Sequence, residues 1–292
     1  MNEQALVLSC EGAPLVGILH KAADENAKRG VLIVVGGGPQ YRVGGHRQLT
    51  LWSRKLAAEG YPVLRFDYRG MGDSHGDFRG FEDADTDIQA AVDRFVAEVP
   101  GLQEVVLWGE CDASSAILFY AHRDQRVKGV VLLNPWVRTA AVEAQAILRF
   151  YYLNRLMQPS FWRKVFSGRF NPFASASSAM KLVKQSRAAA APAAPASAGP
   201  ALGAALDRNV PLPDRMLQGA QRFKGAVMLV LSGRDLIARE FETLAAGSPA
   251  WQAQLQRSGL TRHDMPDADH TFSSAEQRKQ VVDWGLDWLR RW

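Results

Sequence analysis

Apolar and polar positions alternate with two periods along most of the chain. Residues 4–9 and 14–20 alternate apolar with polar side chains around Glu11–Gly12. That is the period-two pattern of two antiparallel strands joined by a tight turn at a sheet edge. Residues 30–35 form an unbroken apolar run ending in Gly36, Gly37, Gly38 and Pro39, as expected of a strand buried on both faces. A helical period takes over at 49–59 and stops at Gly60. Strands at 62–66, 104–108 and 128–133 then alternate with helices at 83–96 and 114–122. The alternation lapses near residue 137. It resumes with a strand at 226–231, a helix at 239–246, a weak strand at 260–265 and an amphipathic helix over 274–292. Such alternation predicts right-handed crossovers and a mostly parallel eight-stranded sheet with helices on both faces and an antiparallel edge hairpin. Ligands bind such sheets beyond the carboxyl ends of the strands. The loops singled out below all follow strands, so they fall on that one edge.

The lapse at 137–222 reads as a helical lid inserted between two parts of one core, 1–136 and 223–292. Its first half is aromatic, with Phe150, Tyr151, Tyr152, Phe161, Trp162 and Phe166. Its second half, 188–205, is mostly Ala with Pro192, Pro195 and Pro200 and reads as a linker. The formal charge of +5 resides here: between 144 and 206 there is no Asp or Glu but eight Lys or Arg, and without them the balance is −3. Nucleic-acid binding by the whole fold is therefore not indicated. The plainer role for the basic aromatic segment is a solvated lid whose apolar side caps the pocket. The sharper one is peripheral contact with anionic lipid headgroups or polysaccharide. No internal repeat is visible.

With 47% hydrophobic and 22% charged residues the composition is that of a folded domain. Two cysteines, Cys10 and Cys111, cannot form a disulfide framework and suit a reducing compartment. Residues 1–15 lack a basic start followed by an apolar core, and no apolar run approaches the roughly 18 residues of a membrane span. The expectation is a cytoplasmic protein.

The chemistry centres on Gly109–Glu110–Cys111–Asp112–Ala113, between a buried strand and a helix. Small residues two positions either side of a reactive residue mark a nucleophile elbow, here with Cys where Ser is usual. The turn is too tight for larger side chains, and it places the nucleophile at a helix N-terminus, which favours a thiolate. Such a nucleophile needs a base, a group to orient the base, and donors for the oxyanion, with acid and base following it in the chain. Of six histidines, His20, His46, His75 and His122 precede the required region or end the elbow helix. His263 falls within the last strand. His270 follows it in a loop and is the expected base. Asp235, after the strand at 226–231 in Ser232–Gly233–Arg234–Asp235, is the expected orienter. Its alternative role is capping the next helix, and Glu240 is the nearest competitor. The amide of Asp112 is one oxyanion donor. The other comes from Gly37, Gly38 or Gln40, with Gly38 favoured because Pro39 has no N–H. This glycine run has neither dinucleotide-loop spacing nor a following Walker lysine. Arg69 shapes a turn beside the pocket. Glu110 points either into the site, where it would raise the thiol pKa, or away toward a cation. Trp136 belongs to the same edge. No His/Cys/Asp cluster has metal-ligand spacing, and neither a metal nor an organic cofactor is expected.

Four segments together resemble the exosortase A system-associated hydrolases of type 1: 37–48 (GGPQYRVGGHRQ), 65–74 (RFDYRGMGDS), 132–138 (LLNPWVR) and 268–272 (ADHTF). The resemblance covers nearly the whole chain except the Ala/Pro linker, and includes Cys111–Asp112. It implies an α/β-hydrolase fold encoded near exopolysaccharide and protein-sorting genes, without a substrate. A Cys–Asp–His set on this fold is also similar to dienelactone hydrolase. The resulting expectation is hydrolysis of a small-molecule ester or thioester through an acyl-Cys111 intermediate. The alternatives are acyl transfer to a saccharide or lipid acceptor, and a catalytically weak module that binds a membrane surface.

Overall fold

The computed structural model describes residues 3–22, 27–36, 41–138 and 203–292. Of the lid expected at 137–222, residues 139–202 with the aromatic half and most of the Ala/Pro linker lie outside the described residues, as do Gly37, Gly38 and Gln40. Strands β1 (Glu3–Cys10) and β2 (Ala13–His20) form the expected hairpin. Glu11 and Gly12 both take positive φ, 48° and 83°, as a two-residue hairpin turn matched to strand twist requires. The others are β3 (Arg29–Val34), β4 (Val63–Phe66), β5 (Glu104–Glu110), β6 (Val127–Leu133), β7 (Ala226–Ser232) and β8 (Leu260–Met265). They build one eight-stranded sheet in the order β1-β2-β4-β3-β5-β6-β7-β8. β2 is antiparallel to both β1 and β4, and every other pair is parallel. This is an α/β-hydrolase fold.

The helices among the described residues are α1 (Gln48–Ala58), α2 (Asp85–Glu98), α3 (Asp112–Tyr120), α4 (Leu212–Arg222), α5 (Leu236–Ala246), α6 (Pro249–Leu255) and α7 (Ala275–Leu289). The alternation of β5 distributes them over two faces. Trp108 packs against Trp52 of α1, with ring centroids 5.7 Å apart, and against Gly285 of α7, where a Cβ would sit 2.5 Å from the Trp108 ring. The next residue, Gly109, faces Ile117 and Ala113 of α3. The central strands are buried almost throughout, which is why they read as continuous apolar runs rather than alternations.

Among the differences from the sequence expectation, three have a clear local reason. α3 begins at Asp112 rather than 114 because Cys111 itself is the N-cap. α5 begins at Leu236 rather than 239 because the Asp235 carboxylate accepts from the Ile237 and Ala238 amides. α6 was not expected at all, although Ser248 caps it and Pro249 occupies its first turn, both recognisable start signals. No helix among the described residues is long and apolar enough to cross a membrane.

Candidate active site

Residue Cys111 follows β5 with φ 59° and ψ −127°, a region that non-glycine residues rarely occupy and that costs on the order of 1–3 kcal/mol. The surrounding bonds hold it there. The Cys111 amide donates to the Leu133 carbonyl at 2.8 Å, and the Cys111 carbonyl accepts from the Trp136 amide at 3.2 Å. Ser114 Oγ donates toward the carbonyls of Gly109 (2.9 Å) and Leu133 (3.1 Å), and Ser115 Oγ donates to the Trp136 carbonyl at 2.6 Å. Small residues are mandatory around it. A Cβ on Gly109 would lie 2.7 Å from Ile117 Cδ1 and 3.0 Å from the Ala113 backbone. On Gly36, after β3, a Cβ would collide with the Glu110 carbonyl oxygen and the Asp112 carboxylate.

The structure brings Cys111, Asp235 and His270 together from the ends of three strands. His270 Nδ1 lies 2.8 Å from Asp235 Oδ2. Both Asp235 oxygens already accept from backbone amides, so Nδ1 is the donor in this pair and Nε2 is left for the thiol. Burial disfavours the imidazolium, but the bonds to Asp235 and to Cys111 outweigh it and push the His270 pKa up to about 10. Burial also raises the Cys111 thiol, and the Asp112 carboxylate adds to this. The hydrogen bond from His270 and the amide of Asp112 pull in the other direction. The cost of burying charge is therefore met by pairing: a thiolate is tolerable here only as the partner of an imidazolium. Asp235 combines both of its expected roles, capping α5 and holding the ring.

The loop that carries His270 is fixed by Asn134, a residue that sequence reasoning passed over. Asn134 Nδ2 donates to the His270 carbonyl at 3.0 Å and to Ser232 Oγ at 2.9 Å, and its Oδ1 accepts from the Ser232 amide at 2.8 Å. One side chain thus ties together the ends of β6, β7 and β8. Its signal was present in the Asn134–Pro135 step that closes β6, where Asn tolerates the observed φ of 46°.

The remaining predicted residues separate into those at the cavity and those behind it. A cavity of about 60 Å³ is lined by Gly36, Gly44, Gly45, Gln48, Glu110, Cys111, His270 and Thr271, among others. Glu110 faces this cavity, where His270 also lies, and does not turn away from the site. The residue is half-buried, with its Oε1 shielded from solvent. Burial pushes its carboxyl pKa up to about 8, against the opposing pull of His270 and the Gln48 amide. Gln48 Nε2 donates to Glu110 Oε2. Gln48 is a second residue that sequence reasoning gave no role, standing just before the helical period at 49–59. Arg69 does not line the cavity: it pairs with Asp87 (Nη2 to Oδ2, 2.8 Å), Glu11 and Thr86, bracing the turn after β4 against α2 and the hairpin. Trp136 meets Cys111 through its backbone, and its ring lies under the Arg138 guanidinium at 4.9 Å. Glu240 pairs with Arg138 rather than with His270. His263 stacks on Trp284 at 4.3 Å, within the body of β8. Among the described residues no group of three or more His, Cys, Asp or Glu side chains is placed to hold a metal ion.

No curated protein sequence matches the chain. Among solved structures, it is similar to the esterase Pf2001 of Pyrococcus furiosus, at 16% identity and a TM-score of 0.63, covering 100% of this chain and 93% of that one. Est1E of Butyrivibrio proteoclasticus, solved with ferulic acid, matches at 15% identity and a TM-score of 0.60 over 98% of this chain and 100% of that one. The esterase domain of a Rhodothermus marinus protein matches at 17% identity and a TM-score of 0.58, over 100% and 99% of the two chains. Residues 27–271 match the family described as serine aminopeptidase, S33. The chain belongs to that α/β-hydrolase family, with Cys111 at the elbow where the family's description names a serine.

Proposed function

We propose that this protein hydrolyses a small-molecule ester or thioester through an acyl-Cys111 intermediate. The observation that carries the reading is a single imidazole, held at 2.8 Å by Asp235, that lines the same cavity as the thiol of a strained elbow. In this scheme His270 takes the thiol proton, and the thiolate attacks the substrate carbonyl carbon. The oxyanion is held by the Asp112 amide and by a second donor from the loop after β3, for which Gly38 is the proposed source. The tetrahedral intermediate collapses with cleavage of the carbonyl–leaving-group bond, and His270 returns the proton to the departing oxygen or sulfur. Water then releases the acyl group. Residues 137–222 are proposed as the lid that closes the pocket over the core formed by 1–136 and 223–292.

That the structural relatives described above include esterases supports an ester substrate. The sequence resemblance to exosortase-associated hydrolases supports a role beside surface-polysaccharide export. Incubation with p-nitrophenyl acyl esters tests the reading: release of p-nitrophenol should be lost in Cys111→Ala. A thiol-directed probe should label Cys111 ahead of Cys10. Activity that survives Cys111→Ala, or labelling confined to Cys10, would rule it out.

A further inference from the structure

Two side-chain oxygens at the candidate site have no hydrogen-bond partner. Gln48 Oε1 and Glu110 Oε1 are both buried, and both residues line the cavity that Cys111 and His270 share. Unpartnered buried polar atoms are uncommon, and each asks for an explanation. The cavity, about 60 Å³, has room for roughly two waters. We propose that Glu110 and Gln48 hold the water that discharges the acyl-Cys111 intermediate, an inference that rests on the acyl-cysteine reading above.

The donor and acceptor inventory supports this. Glu110 Oε2 is engaged by Gln48 Nε2, so a neutral Glu110 carries its proton on Oε1 and donates it to the water oxygen. The water then gives one hydrogen to Gln48 Oε1 and the other to His270 Nε2. Its second lone pair is left for the thioester carbonyl. When it attacks, a C–O bond forms and His270 takes the water proton. Collapse breaks the C–S bond, which leaves the Cys111 thiolate beside imidazolium and releases the carboxylic acid. Nothing else is consumed.

The scheme requires an uncharged Glu110. A carboxylate would accept a hydrogen from the water and compete with His270 for it. Burial favours the neutral acid, and its pKa of about 8 lies above neutrality. The charged groups that face it are His270 and Asp269 from the loop after β8 and Asp235 from the loop after β7. The two aspartates favour the neutral form; the Gln48 amide opposes it throughout, and the imidazolium adds its own opposition. Once the leaving group has taken the His270 proton, that opposition disappears. The neutral acid is thus most secure in the acyl-enzyme, where it is needed.

The test uses the full-length protein, a p-nitrophenyl acyl ester, rapid mixing and intact-mass analysis. Glu110→Met removes the donor while keeping the shape. Deacylation should slow by about tenfold more than acylation, the effect of one hydrogen bond, so that acyl-enzyme accumulates on Cys111. Gln48→Leu, which leaves the strand end untouched, should accumulate the same adduct and serves if Glu110→Met does not fold. Glu110→Gln keeps an N–H at the position of the acid. It should restore deacylation relative to Glu110→Met and lose the alkaline decline expected of the native protein near its Glu110 pKa. Equal slowing of both steps in Glu110→Met and Gln48→Leu would overturn the inference, as would an alkaline decline that persists in Glu110→Gln. A Cys111 adduct that turns over at the native rate in Glu110→Met sinks this inference alone. No adduct on Cys111 in any of the proteins sinks both the inference and the acyl-cysteine reading beneath it.

Discussion

Replacing Asp235 with Asn separates the two roles of that carboxylate. Asp235 is buried and accepts three bonds: His270 Nδ1 at 2.8 Å, and the Ile237 and Ala238 amides at 3.1 Å each. Asn caps a helix about as well as Asp, so α5 should keep its start. What is lost is the carboxylate charge beside the imidazole, together with one acceptor, since an amide offers one oxygen where Asp235 uses two. A charge-assisted bond is about twice as strong as a neutral one, so the difference is roughly 1–2 kcal/mol. The sign with pH follows from the raised His270 pKa, about 10 against an ordinary 6.5. A raised histidine pKa adds stability that is complete below the unfolded value and fades as pH climbs through the folded one. Urea unfolding should therefore show D235N weaker than the native protein by that 1–2 kcal/mol near pH 6, with much of the gap closed near pH 10.5. Ester hydrolysis should fall far more steeply, by roughly 10³-fold in kcat/KM, since the imidazolium loses its partner and the ring its preferred tautomer. A stability deficit of equal size at both pH values, or hydrolysis within tenfold of native in a folded D235N, would refute the reasoning.

Three further predictions concern the scaffold. G109A places a Cβ 2.7 Å from Ile117 Cδ1 and should cost about 1–3 kcal/mol in thermal unfolding; an unchanged Tm would show that the elbow has room to spare. R69M strands Asp87, only 3% exposed, without its guanidinium, and should destabilise by about 3–5 kcal/mol in urea unfolding, whereas an exposed pair would lose under 1. His20 is 2% exposed and accepts from Arg65 Nε at 2.9 Å; burial and then Arg65 hold its pKa at about 4. The unfolded chain binds this proton first, so stability should fall by about 1.4 kcal/mol per pH unit between roughly 6.5 and 4. H20Q should flatten that slope, and an unchanged slope would assign the acid sensitivity elsewhere.

The sheet was legible because its central strands are buried on both faces, and runs such as 104–108 and 226–231 admit little else. Chain order then placed Cys111, Asp235 and His270 at strand ends, and a parallel sheet makes strand ends neighbours. The direction of Glu110 was not legible. It is the last residue of β5, where the backbone turns into the elbow, so alternation no longer decides its face. Gln48 was hidden for a related reason: it opens α1, and its side chain matters only because a distant strand end sits opposite. Asn134 was read as the end of a strand, since nothing local shows that one amide spans three loops. Arg69 showed its bracing character in the turn motif, but its partners Asp87 and Glu11 lie in elements whose packing cannot be counted from spacing. The loop at 37–40 and the segment at 139–202 remain expectations drawn from sequence.

The central claim is that the sulfur of Cys111 carries the acyl group in turnover. Mix the protein with a p-nitrophenyl acyl ester, quench within the first turnover, and locate the adduct by intact mass and peptide mapping. The account predicts one acyl group per chain, on the peptide holding Cys111, and none in Cys111→Ala. An adduct on another residue, or native turnover in Cys111→Ala, contradicts it.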